Sequence, residues 1–405
     1  LRRADDDALV GRLRVTAGER QWLTLAYQRS HADGVAARSP EDADAALQQT
    51  LEYWTGWSEA CTYRGDYEGL VRRSALVLKL LTFSPTGAIV AAPTTSLPED
   101  IGGVRNWDYR YTWLRDSSLV LSALQSIGYH AEAASFFEWL ERVCVECRDR
   151  LQVMFTVQAG TELPEQVLDH LDGYRASRPV RVGNAAADQR QLDIFGAVLD
   201  AAHLHFTTTD RRPSPTGWQL FRDLAERAAR RWREPDHGIW EVRGPQRHFL
   251  YSKLLCWVAL DRAERIAMRH GLDGDTERWR ATAAEIRDAI LGAGYDDGLG
   301  AFTQALDHPV LDASALAIPL VGLLPATDPR VQSTVARIRE RLSVNGLVYR
   351  YATDQANDGV AGGEATFALC TFWLVDNLAL AGRPDEARQL FERITGYAND
   401  VGLLS

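Results

Sequence analysis

Lysine is almost missing from this sequence. Only Lys79 and Lys253 occur among 45 basic residues, so nearly all positive charge is arginine, the signature of a GC-rich genome rather than of a function. Basic excess is missing too. Forty-five Lys and Arg stand against 55 Asp and Glu, a formal net charge of −10. That excludes non-specific nucleic-acid binding and docking on an anionic membrane, both of which need basic surface. No stretch reaches the roughly 18 consecutive apolar residues of a membrane span. Cysteines are few: Cys61, Cys144, Cys147, Cys256 and Cys370. An odd count at isolated positions suits a reducing compartment better than a disulfide framework. Cys144-Val145-Glu146-Cys147 has zinc-like spacing, but no second Cys or His pair accompanies it and it lies in an apolar helical pattern with Phe136, Phe137, Leu140 and Val143. Buried thiols are the better reading, and no metal or cofactor is expected. No signal peptide is visible, which points to the cytoplasm; secretion stays open because Leu1 is not a natural start.

What is present is ordinary globular material, 46% hydrophobic and 25% charged over 405 residues. That length predicts two or three domains, or one large repeat-built one. Residues 12–27 read as a hairpin. Leu13 and Val15 alternate with polar residues, Ala17-Gly18-Glu19-Arg20 supplies a turn, and Trp22 to Tyr27 form a second strand-like run. Two strands alone are marginally stable, so residues 1–30 read as the end of a larger β-domain. Residues 31–65 read as a linker, Ser/Ala/Asp/Pro-rich at first and then an amphipathic helix carrying Trp54 and Trp57. From residue 66 onward the pattern is helical, with about eleven segments: 67–83, 111–128, 130–148, 184–207, 216–233, 246–270, 275–292, 311–323, 328–343, 364–381 and 384–399. Some are apolar all round (311–323, 364–381) and others charged on one face (216–233, 328–343, 384–399). This alternation predicts two concentric helical layers with a buried inner ring, an α/α toroid. No fixed-period repeat argues for a solenoid instead.

In such a toroid the long connections line one end and carry the chemistry. The connection 88–110 ends in aromatics, arginine and acid, and feeds a helix opening Tyr111-Thr112-Trp113-Leu114-Arg115-Asp116. Trp107, Tyr109, Tyr111 and Trp113 beside Asp108, Arg110, Arg115 and Asp116 is the composition of a sugar site: rings stack on the apolar face of a pyranose, and carboxylate and guanidinium groups hydrogen-bond hydroxyls. The plain alternative is a structural Arg115–Asp116 ion pair at a helix start. A second connection holds Ile239-Trp240-Glu241-Val242. A carboxyl packed against a tryptophan is disfavoured as an anion, which would make Glu241 a general acid; an ordinary exposed loop glutamate is the alternative. A third, Asp358 to Ala365, is Gly-rich and ends in Glu364, which could simply be an acid favoured by a helix N-terminus.

Together these residues resemble glycoside hydrolase family 15, the glucoamylase and bacterial trehalase-like group. The matching segments are Ala91 to Glu99, Gly102-Gly103, Asn106 to Tyr111, Trp113 to Asp116, Ser177 to Asn184, and Cys370 to Leu374. The resemblance runs from about residue 12 to the last residue. It implies an (α/α)6 barrel behind a β-sandwich, with residues 66–405 as the catalytic domain holding about eleven of its twelve helices. It also implies hydrolysis of α-glucosidic bonds from the non-reducing end with inversion, on an α-glucoside or α-glucan. By resemblance Glu241 is the general acid, Arg115 and Asp116 bind the innermost glucose, and Tyr109 and Trp113 surround it. Trp107, Asp108, Trp240 and Arg350 are further candidate substrate contacts. Glu364 joins them less directly, since the family often has two adjacent acids there and this chain has Gly363. The base is expected just beyond Ser405, so residues 1–405 alone are expected to be poorly soluble or inactive. Two other readings stand beside this one. In a disaccharide phosphorylase on a similar toroid, Arg178, Arg181 or Arg350 would supply an anion site. In a non-catalytic glucan-binding remnant, Glu241 would be a loop acid. Loops 158–183 and 236–248 are expected to set substrate choice.

Overall fold

Serine and aspartate caps set where the helices begin. Ser39 Oγ accepts the Asp42 N–H at 3.0 Å and Pro40 follows it, which starts α1 (Pro40–Glu59). The computed structural model describes residues 2–3, 9–25, 38–147, 151–306 and 308–404. They divide into two compact units, 1–61 and 62–405. In the first, Arg2–Arg3 pairs antiparallel with Leu9–Val10. The turn of the expected hairpin is present, with the Glu19 N–H donating to Thr16 O at 3.0 Å. Its flanks do not pair over residues 11–25, where Leu13, Val15, Trp22, Leu23 and Leu25 are all exposed. Residues 26 and 27 of that hairpin, and residues 31–37 of the expected linker, lie outside the described residues.

The second unit is mainly helical. Its helices are α2 (Glu68–Leu80), α3 (Leu114–Ser126), α4 (Ala131–Cys147), α5 (Asp193–Thr208), α6 (Pro215–Arg231), α7 (Leu250–His270), α8 (Thr276–Ala293), α9 (Ala317–Leu320), α10 (Pro329–Arg341), α11 (Thr353–Ala356), α12 (Ala368–Leu380) and α13 (Pro384–Thr395). Helix α5 lies between α3 and α7, α7 meets the 3-10 turn Ala313–Leu316 that runs into α9, and that turn meets α12. These are the inner positions. Helices α2, α4, α6, α8, α10 and α13 pack outside them. The layering follows from side-chain pattern. Helices α5 and α12 are apolar on all sides, whereas α6, α10 and α13 carry one apolar stripe and a charged face. This is the α/α toroid that the sequence predicts. No helix among the described residues is long and apolar enough to cross a membrane.

Inner helices approach closely where a side chain is missing. A Cβ on Gly196 of α5 would lie 2.0 Å from the backbone carbonyl oxygen of Leu255 in α7. The α5–α7 seam therefore needs glycine. Gly196→Ala is expected to destabilise the fold by about 1–3 kcal/mol, the usual cost of overpacking, read as a lowered urea midpoint at unchanged m-value.

Several expected helices start late, each for a reason at the site. Segment 184–207 opens as the 3-10 turn Ala185–Asp188 and becomes helical only at Asp193. Segment 246–270 starts at Leu250, because Arg247 and Phe249 bridge to Asp236 and Ala305. Segment 111–128 starts at Leu114, after Thr112–Trp113 pairs with Met154–Phe155. Segment 311–323 shrinks to the 3-10 turn and α9, within which Pro319 lacks an N–H to give. Segment 364–381 starts at Ala368, so Glu364 is not a helix-terminal charge; it lies in the extended stretch before α12. The long connections 81–113, 148–192, 232–249, 294–312 and 342–367 each lead into an inner position. They meet one another at that end, as Arg105–Asp358, Trp113–Glu241 and Trp240–Asp312 contacts show.

Candidate active site

The connection 232–249 is tied into a closed loop at its base, where Asp236 and Arg247 exchange backbone hydrogen bonds of 2.9 and 3.0 Å. Its middle is held from two sides. Gln189 Nε2 donates to the carbonyls of Glu241 and Val242, both at 3.2 Å. The N–H groups of Arg243 and Gly244 donate to Asp358 O at 2.7 and 2.9 Å. Glu241 sits at the apex with φ of 56°, a left-handed conformation uncommon for glutamate. Such a residue costs on the order of 1–3 kcal/mol and persists where its surroundings over-determine it.

Three donors converge on one oxygen of Glu241. Oε1 accepts from Trp113 Nε1 at 2.7 Å, Arg115 Nη2 at 3.0 Å and Gln191 Nε2 at 3.1 Å. Oε2 accepts no hydrogen bond among the described residues. A proton on this carboxyl therefore belongs on Oε2, the oxygen left for a ligand. Arg115 is buried and gives its other nitrogen to Gln191 Oε1 at 2.6 Å and Asp193 Oδ2 at 2.9 Å. Asp116 lies 3.8 Å from the Arg115 Nε, with 43% of its side chain open. Three carboxyl groups thus share one guanidinium. Loss of hydration in its surroundings raises the Asp116 carboxyl first; Arg115 opposes it and Glu241 adds to it. Burial works against the charge on Arg115, but Asp193, Asp116 and Glu241 outweigh it and hold the guanidinium cationic.

The tryptophan that touches Glu241 is not its chain neighbour. Trp240 turns away, its Nε1 shared between both oxygens of buried Asp312 at 3.0 Å, and its ring packs against Phe367 and Trp373. Trp113 takes that place. Tyr109 stands 6.0 Å from the Trp113 ring, centroid to centroid. Burial first, then the negative charge of Glu99 and Glu241, pushes its hydroxyl well above the ordinary range despite Arg350, so it remains a donor.

Arg350 and Glu364 form a second cluster. Arg350 Nη2 donates to Glu99 Oε2 and Glu364 Oε2, each at 2.6 Å, and its guanidinium lies 5.8 Å from the Trp240 ring centre. Only 1% of the Glu364 side chain is accessible, so water does not reach it freely. Beneath them Arg105 Nη2 and Tyr351 OH donate to Asp358 Oδ2 at 2.8 and 2.7 Å.

Two expected contacts lie elsewhere. Asp108 is wholly buried, paired with Arg110 through two 2.8 Å bonds and accepting the Gly183 N–H. Burial alone would raise its carboxyl; Arg110 and the Gly183 N–H hold it below the usual range. It anchors its loop. Trp107 has two guanidinium groups over its ring, Arg181 at 4.5 Å and Arg243 at 4.3 Å from the ring centre. The arginines that a phosphorylase would use are engaged as well: Arg178 with Asp172, Arg181 with Glu165 and Trp107, Arg350 with two glutamates. No cluster of three His, Cys, Asp or Glu suited to a metal occurs among the described residues. A cavity of about 290 Å³ opens behind Gln189 and Gln191 toward Arg227 and Arg231, and Glu241 does not line it.

Sequence reasoning missed Gln189, Gln191 and Asp193, which lie in a segment that reads as continuous helix, and it gave no role to Glu99 or Arg105. It also missed Asp236, whose Oδ2 accepts from Leu192 N at 2.9 Å and Ser252 Oγ at 2.6 Å. Burial pushes the Asp236 carboxyl up to about 7. The sign follows by linkage. A carboxyl whose folded value exceeds its unfolded one, about 3.9, takes up a proton on folding, so its contribution is full below about 4 and lost as pH rises through about 7. Asp236→Asn, which keeps the acceptor and cannot ionise, is expected to flatten the fall in Tm between pH 5 and 8. An unchanged fall would mean that Asp236 does not titrate there.

The sequence profile of "Glycosyl hydrolases family 15" matches residues 65–402. A trehalase of Mycolicibacterium smegmatis is 42% identical over 396 residues, which is 97% of this chain and 58% of that protein. A trehalase of Mycobacterium tuberculosis is 44% identical over 365 residues, covering 89% of this chain and 53% of that protein. The chain thus spans little more than half the length of these curated relatives. Among solved structures, a wild-type glycosidase superposes with a TM-score of 0.65 at 21% identity, over 82% of this chain and 84% of that one. A bacterial glucoamylase complexed with acarbose superposes with a TM-score of 0.66 at 16% identity, over 91% of this chain and 57% of that one. At these identities the likeness speaks for the fold alone. The profile match over residues 65–402, more than four fifths of the chain, establishes that the chain belongs to glycosyl hydrolase family 15.

Proposed function

We propose that the complete protein hydrolyses trehalose to glucose with inversion, and that Glu241 is its general acid. The carrying observation is the Glu241 carboxyl, with one oxygen saturated by three fixed donors and the other unengaged. In this reading Oε2–H protonates the bridging oxygen as the glycosidic bond breaks, and the negative charge left on Oε1 is received by Trp113, Arg115 and Gln191. Tyr109 and Asp116 meet hydroxyls of the glucosyl unit that water attacks, and Arg115 positions both Glu241 and Asp116. Inversion also requires a carboxylate about 6.5–9.5 Å from the acid, with a water between it and the sugar. Glu364 does not fill that role here, because its Oε2 is bound to Arg350 and its side chain is closed to water. The base is not assigned to a residue of this chain. Trehalose is chosen over maltose, isomaltose or longer glucans because the relatives above 40% identity carry that name.

The test is a substrate panel on the complete protein in phosphate-free buffer. Trehalose is expected to give the highest kcat/KM, with two glucoses released per turnover. Preference for maltose or isomaltose would move the assignment to another α-glucoside. Strict dependence on phosphate as co-substrate, with glucose 1-phosphate formed, would replace hydrolysis by phosphorolysis.

A further inference from the structure

Trp107 lies outside the cleft, yet it is built into the support of Glu241. Two guanidinium groups lie over its ring, Arg181 at 4.5 Å and Arg243 at 4.3 Å from the ring centre. Two like charges over one ring repel, and Glu165 holds them there. It takes Arg243 in a bidentate pair of 3.0 and 2.6 Å and lies 3.4 Å from Arg181 Nε. Arg181 in turn donates to the carbonyls of Val104 and Asn106 at 3.1 and 2.9 Å, which fixes the strand that leads to Trp107. Three connections are therefore clamped at one point, and one of them carries Glu241 two residues before Arg243.

We propose that Trp107 is a positioning residue for the proton donor, acting through the Arg243 stack to hold Glu241 in its left-handed backbone conformation. The loop is also held by main-chain bonds to Gln189 and Asp358, and on the other side of Glu241 by Trp240, whose Nε1 is bound to Asp312. The Arg243 contacts with Trp107 and Glu165 add a side-chain tie two residues after the apex. Without the aromatic face, Arg243 loses its cation–π partner and the strained apex can relax, which displaces Oε2 while leaving the residues of the glucose pocket in place. A displacement of about 1 Å is enough to cost roughly a hundredfold in rate.

The proposal rests on Glu241 being the acid, and one substrate pair separates the two ideas. Trehalose needs a protonated leaving group; α-D-glucosyl fluoride leaves as fluoride and needs little acid assistance. In the complete protein, Glu241→Gln should lose activity on trehalose and keep most of it on the fluoride. Trp107→Ala should follow the same pattern more mildly, about ten- to a hundredfold down on trehalose in kcat with KM little changed and the fluoride rate near wild type. Trp107→Phe, which keeps a π face, should recover most of the loss. Arg243→Gln should reproduce it from the half-exposed side of the stack, and serves if Trp107→Ala does not fold. Equal losses on both substrates, or a lowered Tm with the rate ratio unchanged, in Trp107→Ala and Arg243→Gln would overturn the positioning role while leaving Glu241 as the acid. Equal effects on both substrates in Glu241→Gln itself would overturn the acid assignment and the positioning role with it.

Discussion

Glu241→Gln is expected to lower kcat on trehalose by roughly 10²–10⁴-fold, the range a general acid supplies, with KM changed by a few-fold at most. The amide keeps the shape, and its carbonyl can still accept from Trp113, Arg115 and Gln191, so substrate binding and Tm should hold. What it lacks is the proton on Oε2. Steady-state kinetics on the complete protein check this. A kcat within a few-fold of wild type would remove Glu241 from the chemistry, whereas a large rise in KM at constant kcat would make it a binding residue.

Arg115→Met is expected to be the more damaging change for the fold. Asp193 has no accessible side-chain surface, and Arg115 is its ion-pair partner. Removing one member of a buried pair leaves an uncompensated charge and costs about 3–5 kcal/mol. Activity should fall with it, because Glu241 Oε1 loses a donor and Asp116 loses the cation beside it. The sign of the pH effect is fixed. Arg115 lowers the Asp116 carboxyl, so its removal lets Asp116 hold its proton to higher pH. The alkaline limb of the kcat profile should shift upward, and urea melts should show a lower midpoint that recovers in part at acid pH. Arg115→Met with wild-type stability and an unmoved profile would mean that the Arg115–Asp193–Glu241 cluster is not the electrostatic centre.

Much of this was legible in the amino-acid sequence, and the exceptions share a cause. Helices such as α6 and α13 declare themselves because one face is apolar and the other charged. Tyr109, Trp113, Arg115, Asp116 and Glu241 meet because they lie on connections that lead into inner helices. Gln191 and Asp193 escaped notice because their segment keeps helical periodicity while its backbone is pulled out of the helix by ties to Asp236, Arg115 and Glu241. Trp107 and Trp240 have ring neighbours that their place in the sequence does not announce. Composition marks a tryptophan beside acids and arginines as a sugar platform. It does not say what else packs on the ring, and here Arg181 and Arg243 lie over Trp107, and Phe367, Trp373 and Arg350 lie around Trp240. Glu364 shows the same limit. Its position in a Gly-rich stretch is visible in sequence, whereas its closure beneath Arg350 is a tertiary fact.

The most direct measurement is proton NMR of the anomeric signals during the first minutes of trehalose hydrolysis by the complete protein, before mutarotation. Inversion at the attacked carbon gives β-glucose from the glucosyl unit and α-glucose from the leaving group, so the two anomers should appear in equal amounts. α-Glucose alone would mean retention, and would contradict a site in which Glu241 gives a proton while water attacks from the opposite face.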